Sequence, residues 1–173
     1  RVANYSIGHT AMPLWLRTGP MRAPGANAHA FVAQSFVDEV ATAAGRDPVE
    51  LQLEMLAANA AGSASGSGRP GEFRPERLAG VLQQVADEAN WRSRPRVRGR
   101  GMGIGAYFCH LGYSAAVAEV SVDDQNRIRV HKVWMVTDVG RQIINPSGAR
   151  VFAGIGFAVP IENAARAIGE NPL

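Results

Sequence analysis

Cysteine is almost missing from this chain: Cys109 is the only one in 173 residues. That excludes an internal disulfide, a zinc site built of four cysteines and an iron–sulfur cluster held by cysteines of this chain alone. Lysine is as scarce. Lys132 is the only one, so the net charge of +3 rests on arginine, a bias that fits coding preference as readily as chemistry. No apolar run approaches the roughly 20 residues of a membrane-spanning helix. The opening residues, RVANYSIGHT, hold no charged segment followed by an apolar one, do not read as a signal peptide, and carry no initiator Met. Location, cytoplasmic or periplasmic, is left open by them.

What is present is ordinary globular composition, 46% apolar and 19% charged, in a length that suits one domain or two small ones. Residues 4–17 look extended, mixing β-formers with Pro13. From about Ala28 to Ala44 the apolar positions Val32, Phe36, Val40 and Ala43 recur at three- and four-residue spacing, with Phe31 beside them. This predicts an amphipathic helix with that stripe inward, stopped by Gly45. Asp47-Pro48-Val49-Glu50 opens a second helix, with Asp47 as N-cap, Pro48 in the first position and Glu50 able to close a capping box. It should run to about Asn59. The stretch 60–71, AAGSASGSGRPG, reads as a flexible Gly/Ser connector. A third helix is expected over 75–90, with Leu78, Val81, Leu82 and Val85 on one stripe. After Trp91 the character becomes β: a Gly-rich strand over 99–108, an alternating strand over 114–122, a turn at Asp123–Asn126, and a return strand over 127–136. The predicted class is α+β, with β-hairpins or a mixed sheet packed against about three helices.

Several groups invite a chemical reading. In LRTGPMRAPGANAHAF (16–31), Arg22 is followed by Ala23, Pro24, Gly25 and Ala26, small residues just ahead of a helix. Backbone amides at a helix start favour anions, and a guanidinium there can grip a phosphate or oxo-anion; a tight turn with a surface arginine explains the same letters. RSRPRVRGR (92–100) places five arginines on alternate residues, either one face of an extended polyanion track or a solvated basic linker, the latter being the usual meaning of a charge run. Nucleic acid is therefore not the expected partner. GRGMGIG (99–105) fails the dinucleotide fingerprint because its glycines simply alternate and no helix opens after them. Cys109 and His110, as neighbours on a strand, should point to opposite faces and form no dyad. His9, His29 and His131 show no metal-ligand spacing.

Three stretches together resemble the molybdopterin-binding large subunit of the xanthine dehydrogenase/aldehyde oxidase family, in its isoquinoline 1-oxidoreductase beta-subunit form. They are residues 16–56, with the arginine loop and the G-x-D-P-x-E turn; RGRGMGIGAYFCHLGYSAAVAEVSVD (98–123); and RIRVHKVWMVTDVGRQIINP (127–146), marked by Asp138, Gly140, Asn145 and Pro146. The resemblance implies that 1–146 is part of a molybdopterin-binding domain and leaves 147–173 as an unassigned tail. It implies a molybdenum–molybdopterin cofactor, in a dinucleotide form, contacted by Arg22, Ala23, Gly25 and Ala26, with Pro24, Tyr113 and Ser114 near the substrate pocket. It implies oxidation of an N-heterocycle or aldehyde with water as oxygen source. It also implies a small iron–sulfur partner subunit, since one cysteine cannot hold the clusters.

The chain departs from that family in two respects. It holds no Gln-bearing glycine loop. In GIGF (154–157) it puts Phe157 where the family's late glutamate base is wanted, and an aromatic ring cannot take a proton. AGIGFAVPIENA (153–164) also resembles the end of a trypsin-like serine-protease domain, yet no G-x-S-G motif occurs. The alternative reading is a non-catalytic α+β binding or assembly module derived from the same fold.

Overall fold

The computed structural model describes residues 6, 8–17, 19, 25–62, 72–95 and 97–140. Within them the order is α1 (Ala26–Ala43), α2 (Pro48–Gly62), α3 (Pro75–Glu88), a short 3-10 turn (Trp91–Ser93), β1 (Arg100–Cys109), β2 (Gly112–Val122) and β3 (Ile128–Asp138). The α+β class and the three helices agree with the sequence. The sheet is an antiparallel meander of order β1-β2-β3, two successive hairpins as expected, among the described residues.

Alternation along β1 separates two chemistries. Met102, Ile104 and Ala106 face one side, where α3 delivers Val81, Leu82, Val85 and Ala86 into a shared core with Val117 and Ala115 of β2. Gly101, Gly103 and Gly105 face the other side, as strand alternation requires. These glycines remove side-chain bulk from that face, and at Gly105 the Gln34 side chain of α1 takes the space. A Cβ at Gly105 would lie 3.4 Å from Gln34 Cγ. The Gln34 side chain is buried, and its Oε1 accepts the Ala106 backbone N–H at 3.0 Å. Gln34 thus occupies one amide of β1 from outside the strand ladder.

Helix α1 buries Ala30, Gln34 and Ala41, and it meets β1 through Gln34. The stripe expected to point inward points outward: Val32 is 64% exposed, Phe36 63% and Val40 41%. Close approach to a glycine strand selects the small face of the helix and leaves the bulky one outside. By contrast α3 is oriented as expected, with Leu78 packed at the margin of the core.

Helix α2 begins as its sequence foretells and extends to Gly62, past the start of the expected connector. Residues 63–71 lie outside the described residues, as does the tail from 141 onward. The carboxylate of Asp47 accepts the Val49 N–H at 2.9 Å, the Trp91 indole N–H at 3.0 Å and a guanidinium N–H of Arg94 at 2.8 Å. One side chain thus ties the start of α2 to the turn after α3.

Candidate functional site

The sequence-predicted site residues separate into three groups. Arg22, Ala23 and Pro24 lie outside the described residues. Gly25 is the N-cap of α1 and Ala26 its first residue. Tyr113 and Ser114 open β2.

The start of α1 has a donor-rich character. Gly25 supplies no side-chain cap, and the first turn contains no acidic residue. Asn27 Oδ1 takes the Ala28 N–H at 2.8 Å, and the His29 N–H closes on Gly25 O at 2.9 Å. The first amides of a helix have no partner within it and carry the positive end of its dipole. The close approach that Gly25 permits is to the His29 ring: a Cβ there would sit 3.1 Å from His29 Cε1. A helix start with no acidic residue and an imidazole in its first turn offers its amides to an anion. The donor set fits an anion rather than a bare metal: among the described residues no three His, Cys, Asp or Glu side chains gather to hold a metal ion.

Tyr113 and Ser114 are both buried, on opposite faces of the sheet. Tyr113 faces the α3 side. Its hydroxyl accepts the Arg74 backbone N–H at 2.8 Å and donates to Glu72 O at 3.3 Å. Its ring lies 4.7 Å from that of Phe108, and the Arg77 guanidinium sits 4.4 Å over it. Ser114 faces the α1 side, with its Oγ 3.4 Å from Thr137 Oγ1. Ser114 therefore shares a face with the glycines that support α1, and Tyr113 does not.

Around Tyr113 the structure assembles a cluster that spacing did not reveal. Arg77 donates two hydrogen bonds of 2.6 Å to the Asp138 carboxylate, joining the first turn of α3 to the end of β3. These bonds hold the Asp138 carboxyl below the usual carboxylate range; burial works against them, and the Gly140 N–H, 3.0 Å from Asp138 Oδ1, adds to them. The available signal was Asp138 itself, present in the sequence as a marker of the 127–146 stretch without a partner.

Two sequence expectations change here. Cys109 and His110 do not diverge: Sγ lies 2.7 Å from Nδ1. The strand ends at Cys109, and His110 and Leu111 turn with φ of 49° and 67°, so strand alternation no longer applies. Burial pushes the Cys109 thiol up, which keeps it protonated rather than arming it as a nucleophile. The arginine run does not share one face either. Arg94 is paired with Asp47 and stacked 4.0 Å over Trp91. Arg100 pairs with Glu119 at 2.6 Å. The 3-10 turn at 91–93 and the positive φ of Gly99 break the extended path that one face would need. Arg96 lies outside the described residues.

Comparison with curated proteins finds similarity to two oxidoreductase subunits. No family model matches the chain. It is 29% identical over 152 residues, 78% of its length, to the B subunit of nicotinate dehydrogenase from Pseudomonas putida. It is 28% identical over 123 residues, 69% of its length, to the beta subunit of isoquinoline 1-oxidoreductase from Brevundimonas diminuta. The matched stretches are only 11% and 14% of those two proteins. No described helix is long and apolar enough to cross a membrane.

Proposed function

We propose that this chain is the cofactor-loop segment of a molybdenum hydroxylase large subunit acting on N-heterocycles or aldehydes. The observation that carries the reading is the similarity to two oxidoreductase subunits, joined to a helix whose donor-rich start follows directly on the arginine loop. Arg22, Ala23, Gly25 and Ala26 would hold the anionic part of a molybdopterin cofactor, in a dinucleotide form. Arg22 supplies a planar, permanently charged fork, and the small residues keep bulk away from the pterin. When bound, the cofactor supplies the oxidation, with water as the source of the oxygen atom. The protein's part is to bind and orient it. Pro24 and Ser114 are proposed near the substrate, Ser114 from the α1 side of the sheet; Tyr113 acts from the opposite face by fixing the start of β2. The electrons would leave through iron–sulfur clusters on a separate small subunit.

A second reading follows from Tyr113, whose hydroxyl is spent on two backbone partners, and from Phe157, where the family's base is wanted: a binding or assembly module without turnover of its own. One experiment addresses both. Molybdenum and pterin content are measured in the large subunit that carries this segment, with Arg22 intact and as Arg22→Ala. The cofactor reading expects occupancy to fall several-fold in the variant while the protein stays folded. Equal occupancy removes Arg22 from the site, and no cofactor in either form leaves the assembly module.

A further inference from the structure

The sheet treats its two edges differently. At β1 the edge N–H of Ala106 is taken by Gln34. At β3 no further strand pairs among the described residues, and this strand is mostly exposed along its length. Val133 is 51% exposed and Met135 38%, an apolar pair on the α1 side of this edge strand. Long exposed edges with apolar side chains are templates for another strand.

Register decides which strand fits. A bulge between Glu119 and Val120 leaves His131 unmatched in β3, so only 132–138 forms a regular, uninterrupted edge. If that stretch meets itself in antiparallel fashion about a two-fold axis through Met135, Lys132 falls opposite the partner's Asp138, Trp134 opposite Val136, and Val133 opposite Thr137. Every facing pair lies on the same side of the sheet, and the only charges that meet are of opposite sign. A carboxylate has lone pairs enough for a lysine beyond the Arg77 bonds. A second copy running parallel and in register would instead set Lys132 beside Lys132 and Asp138 beside Asp138, like charges together.

We propose that β3 pairs edge to edge with β3 of a second copy of this chain, producing a continuous six-stranded sheet centred on Met135. A seven-residue edge buries less than a standard interface, so the dimer is weak and concentration-dependent.

The test uses cysteine placement in a Cys109→Ser background. Residues directly opposite in an antiparallel pair have Cα atoms about 4.5–5.5 Å apart, within disulfide range. Met135→Cys should therefore cross-link to itself under mild oxidation. Val133→Cys should not, because its two copies sit about 14 Å apart in this register. Val133→Cys combined with Thr137→Cys should cross-link again. The expected result is a concentration-dependent dimer by sedimentation, with cross-linking at 135 at least about tenfold faster than at 133. The proposal is overturned by a monomer at all concentrations, by equal rates at 133 and 135, or by a dimer that cross-links through Phe36→Cys on α1 and not through position 135. Circular dichroism of each variant confirms that these surface changes leave the fold intact.

Discussion

Replacing Asp47 by Ala tests the claim that one carboxylate secures the helical layer. The side chain caps α2 through Val49, receives the Trp91 indole N–H and pairs with Arg94. Loss of an N-cap costs about 1 kcal/mol. Trp91 is 4% exposed, so its indole N–H would be left without a partner, at about 1–2 kcal/mol more. Arg94, with 14% of its side chain exposed, loses its anion as well. These groups share one hydrogen-bonded network, so their costs overlap, and the total should be about 3 kcal/mol. With a urea slope of about 2 kcal/mol/M, the unfolding midpoint should move down by about 1.5 M. Asp47→Asn keeps an oxygen for Val49 and loses the charge, so it should cost roughly half as much. Equilibrium urea unfolding followed by far-UV circular dichroism reads the midpoint, and the Trp91 indole proton resonance reports its hydrogen bond. A midpoint for Asp47→Ala within about 0.3 M of the parent would refute the reasoning, because it would mean the network contributes almost nothing.

Two further outcomes are expected. The Asp138 carboxyl titrates below its unfolded value because Arg77 holds it ionised. Its contribution to stability is therefore fully present above about pH 4 and is lost as pH falls through the folded value. Asp138→Asn should flatten that acid limb of a urea-midpoint series run from pH 6 to pH 3, with a residual slope left by exposed Asp123, which Arg127 also holds ionised; an unchanged limb counts against the clamp. Gln34→Ala removes the buried acceptor of the Ala106 N–H and should cost about 1–2 kcal/mol, with Ala106 losing hydrogen-exchange protection ahead of Val117; equal protection in both proteins would show that Gln34 does not seal the edge.

The elements were legible in the sequence where a local rule decides them. Asp47-Pro48 opened a helix as its letters required, and the three strands fell where alternation and turn residues put them. The orientation of α1 was not legible. Periodicity finds a stripe but does not say which layer lies against it, and here a partner of α1 was a strand more than 60 residues away, where Gly105 makes room for the Gln34 side chain. The alternating glycines of β1 were read correctly as no dinucleotide fingerprint, while their meaning as a bed for α1 needed the fold. Of the candidate site, Gly25 and Ala26 stand at a helix start as the loop's letters suggested. The opposed faces of Tyr113 and Ser114 follow from strand alternation alone and could have been stated from the sequence. The Arg77–Asp138 clamp joins residues 61 positions apart, and no pattern within either segment points to the other.

The two borders of this sheet differ in what a newcomer must displace. A strand adding past β1 would first have to pull the Gln34 amide off the Ala106 N–H, whereas among the described residues no side chain is seen to plug the β3 border in that way. Gln34→Ala would therefore make the two borders more alike and open a second direction for strand addition.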